Sequence, residues 1–224
     1  MKFNRRKTII LAAAASALSL SGMGIAQGAE GDVVDMAKLM AVAGGLDDHF
    51  EGNPEAPVTV IEYASPTCPH CAAFHISVYE TFKADYIDTG KVWFTVRPFA
   101  RNALDAAIFM LAEAAGPEHY HEVVATYMKT QNEWGMSEKP RDAIFAIAQQ
   151  LGFTEETFNA ALTNQDVLNG IEAIKNQALD DFGLTGTPTF YVNGKTLSGG
   201  KTLEQLAAEI DPLVPAGFVA PAAQ

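Results

Sequence analysis

The chain's only two cysteines are Cys68 and Cys71, inside Ser65-Pro66-Thr67-Cys68-Pro69-His70-Cys71. Thiols at this spacing suit a dithiol–disulfide couple or two ligands of a metal site. A structural bridge is a third reading, but so small a loop restricts the unfolded chain little and stabilises little. A metal site built with His70 or His75 lacks an evident fourth ligand and a second cysteine pair. Redox chemistry is the favoured reading.

The two sulfurs are not equivalent. Pro69 opens a helix-compatible run that includes Ala72-Ala73-Phe74-His75-Ile76-Ser77-Val78-Tyr79, and proline is tolerated in a helix's first turn. Cys68 therefore stands at the helix start, facing unpaired N–H groups and the positive end of the dipole. The dipole alone favours a thiolate by ~0.3–2 kcal/mol. His70 can add a positive charge or a donor. Cys71, one turn in, is expected to be more buried and less reactive. Cys68 then attacks or is attacked, and Cys71 resolves the mixed disulfide.

Two further signals bear on this dithiol. Gly186-Thr187-Pro188-Thr189 places a proline at the start of a late strand. It suggests a cis bond that turns the Thr187 backbone toward the sulfurs, where it can pair with an extended substrate. Glu62 interrupts an otherwise apolar strand six residues before Cys68. It is either a solvated strand-end residue or a buried acid below Cys71 that accepts and returns its proton. His75 could approach the site but reads more readily as a packed or surface histidine. His49, His119 and His121 read as surface residues.

The elements that must position these groups follow from periodicity. Val58–Tyr63 is nearly continuous in β-formers, as in a strand covered on both faces. The helix after the dithiol is predicted over 69–88, and Lys91–Arg97 forms the next strand, giving a parallel βαβ unit. Helical segments are predicted at 103–115, 118–130, 141–151, 155–162 and 166–182. Thr189–Val192 and Lys195–Leu197 then form a hairpin around Asn193-Gly194, and Thr202 caps a last helix. Near the N-terminus, 33–42 reads as a short helix capped by Asp32, with Gly44-Gly45 ending it.

Lys2, Arg5, Arg6 and Lys7 precede an apolar, small-residue stretch from Thr8 to Leu20. That is the pattern of a secretory signal peptide, cleaved near Ala26 or Ala29. Export through the general secretory route fits better than the twin-arginine route. Removing residues 1–26 takes the net charge from −12 to −16, because four positive and no negative charges leave. So acidic a chain has no electrostatic case for nucleic acid or anionic lipid. After signal cleavage no membrane insertion is expected.

Together, Ile61-Glu62-Tyr63, Cys68-Pro69-His70-Cys71, the helical block and Thr187-Pro188 before Phe190-Tyr191-Val192-Asn193-Gly194 resemble the DsbA family of exported thiol:disulfide oxidoreductases, in the thioredoxin superfamily. The resemblance covers residues 50–214. It implies an α/β thioredoxin fold with an inserted helical subdomain. The boundaries are a signal peptide (1–26), an N-terminal arm (27–57), a thioredoxin-like domain (58–100 and 183–214), a helical insertion (101–182) and a tail (215–224) expected to be disordered. It further implies Cys68 as nucleophile, a cis Pro188 and Glu62 as the acid under the site. Thr187 before that proline is shared with isomerase-type relatives.

The expected activity is periplasmic: the Cys68–Cys71 disulfide passes to reduced, unfolded exported proteins, with no other cofactor. A DsbB-like membrane quinone reductase would reoxidise it. The alternatives are a periplasmic reductase or isomerase, a metal- or haem-handling binding protein, and a chaperone-like peptide binder.

Overall fold

The computed structural model describes residues 28–219. The predicted signal peptide (1–26) and the tail's end (220–224) lie outside the described residues. The organising layer is a five-stranded sheet. Its strands are β1 (Phe50–Gly52), β2 (Val58–Ala64), β3 (Val92–Pro98), β4 (Thr189–Val192) and β5 (Lys195–Ser198), in the order β1-β3-β2-β4-β5. β2 and β3 are parallel and every other pair is antiparallel. β2 is thus flanked on both edges, and six of its seven residues are buried.

The alternation of a strand assigns its side chains to two cores. Val58, Val60 and Ala64 face one core with Phe74, Phe94 and Phe190, continuous with the helical block. Ile61 and Tyr63 face the other, with Phe182, Tyr191 and Ile174. Glu62 follows the parity of Val60 and Ala64.

The helices are α1 (Met36–Met40), α2 (Pro69–Ser77), α3 (Tyr79–Phe82), α4 (Ala103–Ala115), α5 (Tyr120–Lys129), α6 (Gln131–Trp134), α7 (Pro140–Gln150), α8 (Glu155–Leu162), α9 (Gln165–Asp180) and α10 (Leu203–Ile210). No described helix is long and apolar enough to cross a membrane. Helices α4–α9 stand between β3 and β4. Buried Phe109, Tyr120, Tyr127, Trp134 and Phe158 fill that block. Its buried polar tips are paired: Tyr127 Oη donates to the Ile144 carbonyl at 2.8 Å and Trp134 Nε1 to the Tyr127 carbonyl at 2.9 Å.

Several local expectations match closely. Asn193 and Gly194 take positive φ values of 44° and 86° in the β4–β5 turn, and Thr202 caps α10 with Gln205 completing a capping box. Others need correction. The helix predicted over 69–88 is interrupted at Val78 and finishes in a π-helical turn, Lys83–Ile87. The N-terminal helix is only Met36–Met40, and Asp35 caps it; Asp32 instead accepts from Ala29 N–H. It ends at Ala41, before Gly44-Gly45. The sequence reading contained no β1. This three-residue strand owes its place to distant partners: Phe50 stacks on Trp93 at 3.6 Å between centroids, and Thr95 Oγ1 donates to the His49 carbonyl. The first tail residues form a turn closed by Phe218 N–H on the Pro215 carbonyl.

The N-terminal arm is fastened by a buried charge. Arg97 of β3, 1% exposed, binds both carboxylate oxygens of Asp48 at 2.8 and 2.5 Å. It also donates to the Leu39 carbonyl and to Tyr63 Oη. A planar guanidinium suits this fork, and its burial requires all of these partners.

Candidate active site

The sulfur of Cys68 sits where β2 ends and α2 begins. Cys68 is the N-cap of α2 with extended backbone (φ −84°, ψ 120°), and Pro69 occupies the first turn. A short turn, closed by Cys68 N–H on the Ser65 carbonyl at 2.9 Å, joins strand to helix. Pro69 and His70 are exposed, while Cys71, Ala72, Phe74 and His75 form the buried face of α2. Both cysteines are buried.

The two thiols are strongly differentiated. The Cys71 thiol donates a hydrogen bond to the Cys68 sulfur and is the leading cause that holds Cys68 down at about 4, from an ordinary 9.0. Burial opposes this. Thr187 and the backbone N–H groups of Cys71 and His70 add to it. His70 thus serves the sulfur through its backbone, with its imidazole in solvent. Cys71 moves the other way. Burial first, then its hydrogen bond to Cys68 and the charge of Glu62, push it far above the ordinary thiol range. A low nucleophile beside a high resolving thiol is the asymmetry that exchange chemistry requires.

The segment before β4 forms the facing wall. The Thr187–Pro188 bond is cis. The Thr187 carbonyl lies 3.2 Å from Cys68 Sγ and accepts from it when the sulfur is a thiol. Among the described residues Thr187 Oγ1 is buried without a hydrogen-bond partner, which leaves the hydroxyl available to support the thiolate.

Glu62 is fully buried on β2, which settles its solvated reading against it. Its Oε2 shares a 3.1 Å hydrogen bond with Nε2 of His75, itself 1% exposed. His75 is therefore a packed residue tied to the acid under the site. Two other histidines depart from the surface expectation. His121 is buried, with Nε2 on the His49 carbonyl, and His49 is half-buried against Glu113. His119 is exposed and pairs with Glu122.

One constellation escaped the sequence reading. Asp105, in the first turn of α4, is fully buried. Its carboxylate accepts from Ser65 Oγ (2.7 Å), Thr67 N–H (2.7 Å) and Arg101 N–H (2.9 Å). Arg101 Nε also donates to Ser65 Oγ, and Asn102 Nδ2 donates to Thr67 Oγ1. Gln131 Nε2 holds the Pro66 carbonyl from α6. The turn that presents Cys68 is thus clamped from the helical block. The only hint in sequence was an acid one turn into a helix capped by Asn102, which usually needs no further explanation. Among the described residues no group of three or more His, Cys, Asp or Glu side chains is placed to hold a metal ion.

This fold and dithiol match a family model described as Thioredoxin over residues 46–212, and the chain belongs to the thioredoxin family. Within that family it is DsbA-like. It superposes on alpha-DsbA1 of Wolbachia pipientis with a TM-score of 0.73 at 27% identity, covering 79% of this chain and 94% of that one. It is 30% identical over 172 residues to a putative protein-disulfide oxidoreductase of Rickettsia bellii, covering 75% of this chain and 65% of that protein. A probable disulfide bond formation protein D of Bacillus cereus is 28% identical over 153 residues, 64% of this chain and 68% of that protein. The chain spans less than two thirds of the length of the Rickettsia protein.

Proposed function

We propose that this protein is an exported protein-disulfide oxidase acting through Cys68 and Cys71. A substrate thiolate attacks Cys68 Sγ of the oxidised protein, and Cys71 departs and takes up a proton. A second substrate thiolate attacks the substrate sulfur of the mixed disulfide, and Cys68 leaves as a thiolate. The substrate loses two electrons and gains a disulfide; the protein gains both electrons as a dithiol.

The observation that carries this reading is the contrast between the two sulfurs. A Cys68 held near 4 is a good leaving group and stabilises the reduced protein, so the disulfide form is oxidising. Thr187 and Pro188 supply the wall for the substrate, whose extended backbone pairs with Thr187 as an added strand. Glu62, below Cys71, exchanges that thiol's proton. The signal-like N-terminus supports a periplasmic location, where reduced, unfolded exported proteins are the substrates. A DsbB-like membrane quinone reductase then removes the electrons.

The test is the redox potential of purified protein equilibrated with glutathione. A couple more oxidising than glutathione supports the oxidase. A couple more reducing than glutathione refutes it and favours the reductase or isomerase direction.

A further inference from the structure

Glu62 and His75 are both buried, and one hydrogen bond between them leaves two atoms over. Glu62 Oε1 and His75 Nδ1 are each buried with no hydrogen-bond partner among the described residues. Either side chain can carry a proton. Side by side they can share one. Glu⁻ with HisH⁺ and GluH with neutral His are both neutral overall, and interconvert by moving a proton across a 3.1 Å hydrogen bond.

The site's architecture brings this pair to Cys71. Glu62 lies on β2 beneath α2, and its charge reaches the Cys71 sulfur. His75 stands four residues beyond Cys71 on the buried face of the same helix. The other polar groups around the pair come from four further elements. The Tyr79 ring of α3 is centred 4.9 Å from His75. The Tyr79 hydroxyl donates to Glu51 of β1. His121 of α5 places Nδ1 3.6 Å from Glu51 Oε2, and Lys83 lies 3.9 Å from Glu51 Oε1.

We propose that Glu62 and His75 act as one acid–base unit holding a single exchangeable proton. The unit gives that proton to Cys71 when it departs and takes it back when Cys71 attacks. His75 is a positioning residue acting through Glu62. The inference deepens the proposed function and rests on its assignment of Cys68 as attacking and Cys71 as resolving thiol.

An aromatic disulfide that releases a coloured thiolate separates the two steps. First, the Cys68 thiolate attacks one sulfur of the reagent and expels the first aryl thiolate. Then Cys71 passes its proton to the pair, attacks Cys68 Sγ, and expels the second. The reagent gains two electrons and the protein is left with its disulfide. His75→Gln is expected to leave the first release unchanged. The second should slow about ten- to hundredfold, with a changed pH profile. Glu62→Gln should slow the same step, with no additive loss in the double variant.

An unchanged second release in His75→Gln, in rate and pH profile, overturns the proposal. Loss of the first release in the parent protein, or two releases from Cys68→Ser, overturns the underlying assignment instead. Should the variants fail to fold, imidazole ¹⁵N resonances of the parent protein decide. The His75 signals must shift when the Cys68–Cys71 disulfide forms; shifts insensitive to oxidation and to pH overturn the proposal.

Discussion

Reduced and oxidised protein should differ in stability by an amount that grows with pH. In the folded reduced chain Cys68 ionises at about 4, against an ordinary 9.0. A pKa lowered by folding stabilises the folded state where the group is ionised. The contribution is complete above the unfolded value, near 9, and is lost as pH falls toward 4. Within that window folding releases one proton, so stability climbs by ~1.4 kcal/mol per pH unit. At pH 7 about three units lie above the folded value, a ceiling of ~4 kcal/mol. Screening removes part of this, leaving ~2–3 kcal/mol. Cys71 works oppositely, but only near and above pH 9, where its unfolded thiol ionises and its folded one does not.

The oxidised chain has neither thiol, and titrating groups remote from the site are common to both forms. Subtracting the two leaves the titration of the site, in which Cys68 is the group shifted to about 4. The assay is denaturant unfolding of both forms at pH 3.5, 5, 6 and 7.5. The stability of the reduced form relative to the oxidised one should rise steadily across this range. In Cys68→Ser the pH-dependent part should vanish. A difference that stays constant within ~0.5 kcal/mol from pH 3.5 to 7.5 would refute the stabilised-thiolate argument, and with it the reason for assigning oxidation.

Asp105→Asn should release the turn that presents Cys68, because one of the two accepting oxygens becomes an amide donor and the charge on the other is lost. We expect a loss of ~1–3 kcal/mol in stability and a rise in the Cys68 ionisation midpoint, read by thiolate ultraviolet absorbance against pH; a midpoint identical to the parent's would show that the clamp does not tune the sulfur. Arg97→Met should leave Asp48 buried and unpaired, costing ~3–5 kcal/mol in denaturant melts. Hydrogen exchange should accelerate first in residues 39–48, and uniform acceleration instead would contradict the fastening role.

What could be read from sequence was whatever depends on neighbours. The buried strand before the dithiol, the helix-start placement of Cys68, the Asn193-Gly194 turn and the Thr202 cap all follow from chemistry within a few residues. What could not be read depends on distant partners. His75 looked like a packed or surface histidine because Glu62, the group it binds, belongs to another element. Asp105 looked like a routine helix-start acid because Ser65 and Thr67 lie 40 and 38 residues away. β1 carries too few residues for any period, and it forms because Trp93 and Thr95 hold it. Arg97, a charge at the end of a strand, gave no sign of the 49-residue reach to Asp48.

The contact between Cys68 and Thr187 joins residues 119 apart, which gives the reactivity of Cys68 a history. As the chain lengthens from its N-terminus, Cys68 emerges before Asp105, and Thr187 follows only 119 residues after Cys68. Until then the sulfur is an ordinary thiol in an unfinished chain, with neither the clamped turn nor the facing wall. The reactive sulfur is therefore complete only once Thr187 has folded against it. A molecule interrupted on the way carries the right cysteines but little of their chemistry, and is itself a reduced, unfolded chain of the kind the finished protein is proposed to oxidise.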